Sequence, residues 1–209
     1  MTAYATPRIV PAKQAGFAFA TKAETLDRLA PGLTTARVLP AVHFPVAHWR
    51  AGPAAVLKLI AGQDWAGGPM IVRSSAEGED SAGASMAGRF LSIPHVDAAG
   101  LADAIGRVVD SYGDLPGQHR VLVQPMLVDP VASGVAFTVD PNTASPYLVV
   151  TYEQEGDTSA ATSGKKAALQ TFYLWRDAAP PSDPLLAGVA ALARELMAVT
   201  GREALDIEF

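Results

Sequence analysis

An arginine followed by small residues is the most chemically suggestive stretch of this sequence: Val72-Arg73-Ser74-Ser75-Ala76-Glu77-Gly78-Glu79-Asp80, continuing to Ser85-Met86-Ala87-Gly88. A guanidinium at a strand end can grip an anion, and small neighbours let backbone N–H groups approach it. The same composition also suits a polar surface connector with one solvated arginine. A second signal closes the chain, where Asp206 and Glu208 sit two apart. In an extended strand both carboxylates then project from one face, with Leu205, Ile207 and Phe209 on the other. Two hard oxygen donors on one face make a partial shell for Mg²⁺, although any half-buried strand shows the same alternation. Lys22 falls in the first turn of an expected helix, where a point charge would add to a position already favourable to anions. Gln124, between Val123 and Pro125, ends an apolar run, and backbone groups there could meet the edge of an adenine flanked by apolar side chains. A strand-edge glutamine before a proline break reads equally well.

These residues need elements to hold them. Thr21-Lys22-Ala23-Glu24 has the form of a capping box, predicting a short helix that ends at Pro31-Gly32. A second helix is expected over 53–60. Met70 to Arg73 reads as a buried strand, and a short strand from Phe90 to Ile93 is expected after the polar loop. Leu101, Ile105, Val108, Val109 and Tyr112 recur at helical spacing, predicting an amphipathic helix over 98–112. Four β-like runs follow, at 120–127, 134–139, 147–152 and 169–175, rich in Val, Phe, Tyr and Thr. A long helix over 185–199 then leads into a closing strand over 204–209. A mixed region followed by a strand-rich one predicts an α+β protein. Gly113, Pro116 and Gly117 cluster, so a boundary is expected near 113–120, dividing residues 1–112 from 113–209.

Composition narrows the function classes. The chain has 209 residues, 49% of them hydrophobic and 18% charged, as in a folded soluble protein. Its formal net charge of -5 lacks the basic excess of a nucleic-acid binder. With no cysteine, disulfides and thiolate chemistry are excluded. No signal-peptide pattern opens the chain and no apolar run is long enough to cross a bilayer, so no membrane partner and a cytoplasmic location are expected. None of the four histidines has metal-motif spacing with a carboxylate, and His43 and His48 read as structural. Neither a G-x-S-x-G elbow nor a P-loop is present.

Three of these segments, in this order, resemble the ATP-grasp domain of phosphoenolpyruvate synthase and pyruvate phosphate dikinase, and that of rifampicin phosphotransferase. VRSSAEGEDSAGASMAG is similar to the family's VRSSA-x-x-ED loop, VLVQPMLVDPVASGVAFTVDP to its hinge and SGV-x-F-T-x-D-P segment, and LDIEF to its DIE strand. The likeness spans about residues 15 to 209. It implies two lobes of mixed or antiparallel sheet with packed helices and a nucleotide cleft between them, the second lobe being trimmed. It further implies ATP and Mg²⁺ as ligands. Lys22 and Arg73 would hold phosphates with Ser74 and Ser75, and the loop from Ser74 to Ser85 would close over them. Gln124, Pro125 and Met126 would flank adenine. Asp206 and Glu208 would bind Mg²⁺, and Glu155 would stand where the family's S-Y-G-L-G-E run has its glutamate.

The sequence departs from the family where Ala20-Thr21 replaces two glycines before Lys22, which leaves the backbone there less free to approach phosphate. The chain also stops before the family's next strand, with its L-Q-x-R segment, as expected of a cut or a reduced homologue. No histidine-carrier motif and no pyruvate-binding barrel fit within it. The implied function is therefore an ATP-binding phosphotransferase component that passes phosphate to a histidine carrier in another domain or subunit. Two other readings stand beside it: direct phosphorylation of a small-molecule hydroxyl, and a nucleotide-binding module without catalysis.

Overall fold

Thr21 starts the first helix, α1 (Lys22–Leu29), as its sequence requires. Its hydroxyl accepts from the Glu24 N–H at 3.4 Å, and the Glu24 carboxylate accepts from the Thr21 N–H at 3.3 Å. Both arms of the capping box are therefore made. The computed structural model describes residues 16–76, 91–114, 118–154 and 169–209. After α1 come β1 (Val42–Pro45), α2 (Val46–Ala51), α3 (Pro53–Ala61), β2 (Met70–Ser75), β3 (Ser92–Val96), α4 (Leu101–Ser111) and β4 (Arg120–Pro125). The remaining elements are β5 (Ala132–Phe137), β6 (Tyr147–Gln154), β7 (Gln170–Trp175), α5 (Pro184–Thr200) and β8 (Asp206–Glu208). The protein is α+β, with two antiparallel four-stranded sheets. Among the described residues no helix is long and apolar enough to cross a membrane.

Two compact units result, Phe19–Val131 and Ala132–Phe209, with residues 16–18 grouped with the second. The sequence placed a division at 112–113. The strand β4 lies on the first unit's side because it is the inner strand joining β1 to β2, in the order β1-β4-β2-β3. Backbone hydrogen bonding thus carries the first unit past the Gly113 turn.

In the first unit, Val42, Phe44, Met70, Val72, Val121 and Val123 turn to one face of the sheet. There they form a core with Val56 and Ile60 of α3 and Ile105 and Val108 of α4. Ile60, Met70, Val72, Ile105, Val108, Val121 and Val123 are all fully buried. The 3.6-residue spacing of Leu101, Ile105, Val108 and Val109 is what lets α4 cover the strands. β3 carries a bulge: Met70 pairs with Val96 and Val72 with Ile93, so Pro94 and His95 stand opposite a single residue. His95, at φ 56°, takes the left-handed turn this needs.

In the second unit the order is β7-β6-β5-β8. Ala136, Leu148, Val150 and Ile207 are buried on one face, and α5 is apolar on the side that carries Leu186, Val189, Ala190 and Ala193. Asp183 caps α5 by accepting from the Leu186 N–H at 3.0 Å, Pro184 opens it, and Gly201 at φ 66° ends it. Gly134 permits close contact between β5 and β6, since a Cβ there would abut the Thr151 carbonyl oxygen and lie 2.7 Å from the Tyr152 Cβ.

Candidate functional site

Arg73, Ser74 and Ser75 end β2, and strand alternation separates them. Ser74 pairs with Val121 and shares its core-side face, whereas Ile71, Arg73 and Ser75 turn to the other side. On that second face Ile71 lies opposite Gln124, Arg73 opposite Leu122 and Ser75 opposite Arg120. β1 extends two of the rows with His43 beside Leu122 and Pro45 beside Arg120. One side of the sheet is thus an apolar core, and the other carries Arg73, Ser75, Arg120, Gln124 and His43.

Helix α1 is fastened to this polar side. The Ala23 N–H donates to the Ser75 hydroxyl at 2.9 Å, which brings Lys22 to the end of β2 although 52 positions separate Ala23 from Ser75. Arg120 donates to Glu24 at 3.4 Å and, through Nε, to His43 Nδ1 at 3.0 Å. Because a guanidinium only donates, Nδ1 accepts, and the Nε2 hydrogen goes to Asp27 at 2.5 Å. The Thr21 hydroxyl, its backbone N–H and the nearby Arg120 and Arg28 charges hold the Glu24 carboxyl below its usual range, against the opposing effect of burial. Tyr112, which follows the last turn of α4, completes the frame. Its hydroxyl accepts from the Ser75 N–H at 2.8 Å and donates to the Arg120 carbonyl at 2.6 Å.

Of the expected adenine hinge, Gln124 and Pro125 are the last two residues of β4 and only Met126 lies beyond it. Gln124 is 6% exposed, and its strand neighbour across the sheet is Ile71. Pro125 pairs with Met70, and the Met126 N–H donates to the Pro69 carbonyl at 2.8 Å. That amide is therefore engaged within the fold, while the exposed Leu127 and Val128 continue beyond it.

Asp206 and Glu208 belong to the second unit, on the edge strand β8. Both are exposed while Ile207 between them is buried, as alternation requires. Asp206 lies opposite Phe137, and Glu208 opposite Val135. The pair is fixed from both ends. Thr138, buried at 1% exposure, donates through Oγ1 to the Glu203 carbonyl at 2.6 Å and accepts from the Leu205 N–H at 2.7 Å. Phe209 exchanges two backbone hydrogen bonds with Gly134, each 3.0 Å long. Residues two apart on a strand have Cα atoms about 6.6 Å apart, a span that lets both carboxylates reach one small ion. Among the described residues no group of three or more His, Asp or Glu side chains converges as a metal site. A Mg²⁺ ion held here would complete its shell with water and a phosphate ligand, which is its habit.

Glu155, residues 77–85 of the polar loop and Phe90, the expected start of the strand after it, lie outside the described residues. The sequence reading missed Arg120, Tyr112 and Thr138 as supports. Tyr112 reads as one more apolar residue on α4, Arg120 as the polar start of a strand and Thr138 as a β-former, so no local pattern marks them. Asp140, at the end of the SGV-x-F-T-x-D-P likeness, closes a turn by accepting from the Asn142 N–H at 2.8 Å and the Thr143 hydroxyl at 2.9 Å. Those bonds, the Asn142 amide foremost, keep its carboxyl below the usual range. Compared with known proteins, the chain matches no family model and no curated protein.

Proposed function

We propose that this chain is an ATP-grasp-like, ATP-binding phosphotransferase component. Residues of Phe19–Val131 would take phosphates with Lys22 and Arg73 and adenine beside Gln124, Pro125 and Met126. On Ala132–Phe209, Asp206 and Glu208 would hold Mg²⁺. The observation that carries the reading is the bond from the Ala23 N–H to the Ser75 hydroxyl. It unites two cation-bearing segments, remote in sequence, on the polar side of one sheet.

Phosphoryl transfer asks for positioning and charge neutralisation more than for covalent work by the protein. Lys22 and Arg73 would neutralise and orient the phosphates, and the two carboxylates would fix the metal. Bound Mg²⁺ would supply further neutralisation of the phosphate oxygens. The acceptor we favour is a histidine carrier in another domain or subunit. Production of AMP separates it from the direct kinase, which produces ADP.

Titration calorimetry of ATP, with and without Mg²⁺, tests the reading. Mg²⁺-dependent binding in the micromolar range is expected, lost in Arg73→Ala and Glu208→Ala while circular dichroism is unchanged. Glu208→Ala should weaken Mg²⁺ dependence more than adenosine binding. Equal ATP affinity in wild type and both variants would sink the site. Mg²⁺-dependent ATP binding with no phosphate transferred to any acceptor would favour the non-catalytic module.

A further inference from the structure

We infer that Ser75 is a positioning residue for Lys22 and not a phosphate ligand, acting through a brace that includes Tyr112 and Arg120. The inference rests on the phosphate role proposed for Lys22.

Every α-helix begins with backbone N–H groups that lack a partner in the helix. In α1 the Glu24 N–H is met by Thr21 next door, but the Ala23 N–H is met by Ser75, a residue of the sheet. Ala23 is 1% exposed and Ser75 is fully buried, so water does not substitute for this bond. The Ser75 oxygen is directed at the first turn of the helix, one residue past Lys22. Its backbone N–H is committed as well, to the Tyr112 hydroxyl, which in turn donates to the Arg120 carbonyl. The Arg120 side chain reaches Glu24 in the same helix and His43, which meets Asp27 a turn later.

α1 is thereby tied to β2 at Ala23, to β4 at Glu24 and to β1 at Asp27. A lysine has four rotatable side-chain bonds, and its point charge serves an anion only as well as its backbone is fixed. Ser75 supplies that fixity at the residue next to Lys22. The Ser75 hydroxyl keeps its own hydrogen to donate, but at 0% exposure it is closed off from a ligand in solvent, so it serves the helix and not the phosphate. Ser75 and Thr21 accept from the amides of the two residues after Lys22. The backbone there is held by side-chain bonds, and the lysine side chain is what meets the ligand.

A double-mutant cycle read by Mg·ATP and adenosine affinity tests this in the full chain. In Ser75→Ala, ATP affinity should fall about tenfold, the order of one hydrogen bond to a charged group, with adenosine affinity unchanged. In a Lys22→Ala background the same substitution should have no further effect on ATP, because the group it positions is gone. Hydrogen exchange at the Ala23 amide should also quicken in Ser75→Ala. An equal ATP loss in both backgrounds overturns the inference and makes Ser75 a direct contact. An unchanged ATP affinity in Ser75→Ala overturns it too. If Ser75→Ala fails to fold, Tyr112→Phe takes its place. It should show a smaller loss that also vanishes without Lys22, and an unaltered ATP affinity counts against the brace. Wild-type protein that binds no ATP removes the phosphate reading itself, an outcome separate from either result on the variants.

Discussion

Replacing Thr138 with valine should loosen the strand that carries the two carboxylates. Valine keeps the branched shape of threonine and removes only the oxygen. That oxygen donates to the Glu203 carbonyl at 2.6 Å and accepts from the Leu205 N–H at 2.7 Å. The backbone bond from the Thr138 N–H to the Leu205 carbonyl, 3.0 Å, survives. Glu203 is at the surface and its carbonyl can turn to water, so the cost falls mainly on the Leu205 N–H beside a residue that is 1% exposed. One net hydrogen bond plus one poorly satisfied donor amounts to about 2 kcal/mol. For a chain of this length that lowers the thermal midpoint by about 4–8 °C. The loss is local, so amide exchange at Leu205 and Ile207 should rise more than in α4. If the proposed function holds, the Mg²⁺-dependent part of ATP affinity should weaken with it, because Asp206 follows directly on Leu205. Thr138→Ser, which keeps the oxygen, should retain most of the exchange protection. Calorimetric melting with residue-resolved hydrogen exchange provides the measurements. A Thr138→Val protein within about 0.5 kcal/mol of wild type, the scatter of neutral surface changes, and with unchanged exchange at Leu205 would refute the reasoning.

Three further outcomes are expected. Gly134→Ala should destabilise the second unit by about 1–3 kcal/mol or more, since the new methyl meets the Thr151 carbonyl and the Tyr152 Cβ across the sheet; urea denaturation followed by Trp175 fluorescence measures it. Gly201→Ala should cost about 1–2 kcal/mol in thermal unfolding, because the residue ends α5 at φ 66°. The Glu24 carboxyl has its folded pKa lowered from a reference value of 4.5, so its contribution is present above that value and is lost as pH falls through the lower folded value. Acid unfolding of Glu24→Gln should therefore start from a lower stability at neutral pH and depend less steeply on pH below about 4.5; an identical pH profile for variant and wild type would contradict the role of the capping box.

Elements with a strong local signature were legible in the sequence. Thr21 and Glu24 mark the start of α1, the spacing of Leu101 to Val109 marks α4, and the alternation of Leu205 to Phe209 marks β8 with its carboxylates on one side. Each depends on residues within one or two turns of each other, so hydrogen-bond geometry and burial of one face determine it without help from elsewhere. β1 and α2 left no such trace. Val42-His43-Phe44-Pro45 is too short to show a period, and it is a strand because β4 lies beside it. The bulge at His95 likewise exists only through the pairing of β3 with β2. The sequence put Ser74 and Ser75 in one phosphate loop, whereas the register of β2 against β4 turns them to opposite faces. The ties from Ser75 to Ala23, Tyr112 to Arg120 and Thr138 to Leu205 span between 8 and 67 positions. A serine, tyrosine or threonine carries no mark of its distant partner. The sequence by itself determined the elements with a local signature, such as α1, α4 and β8, and which residue types could meet an anion or a cation. Only the tertiary structure decided which hydroxyls brace the fold, because that depends on long-range strand register and on where α1 is laid across the sheet.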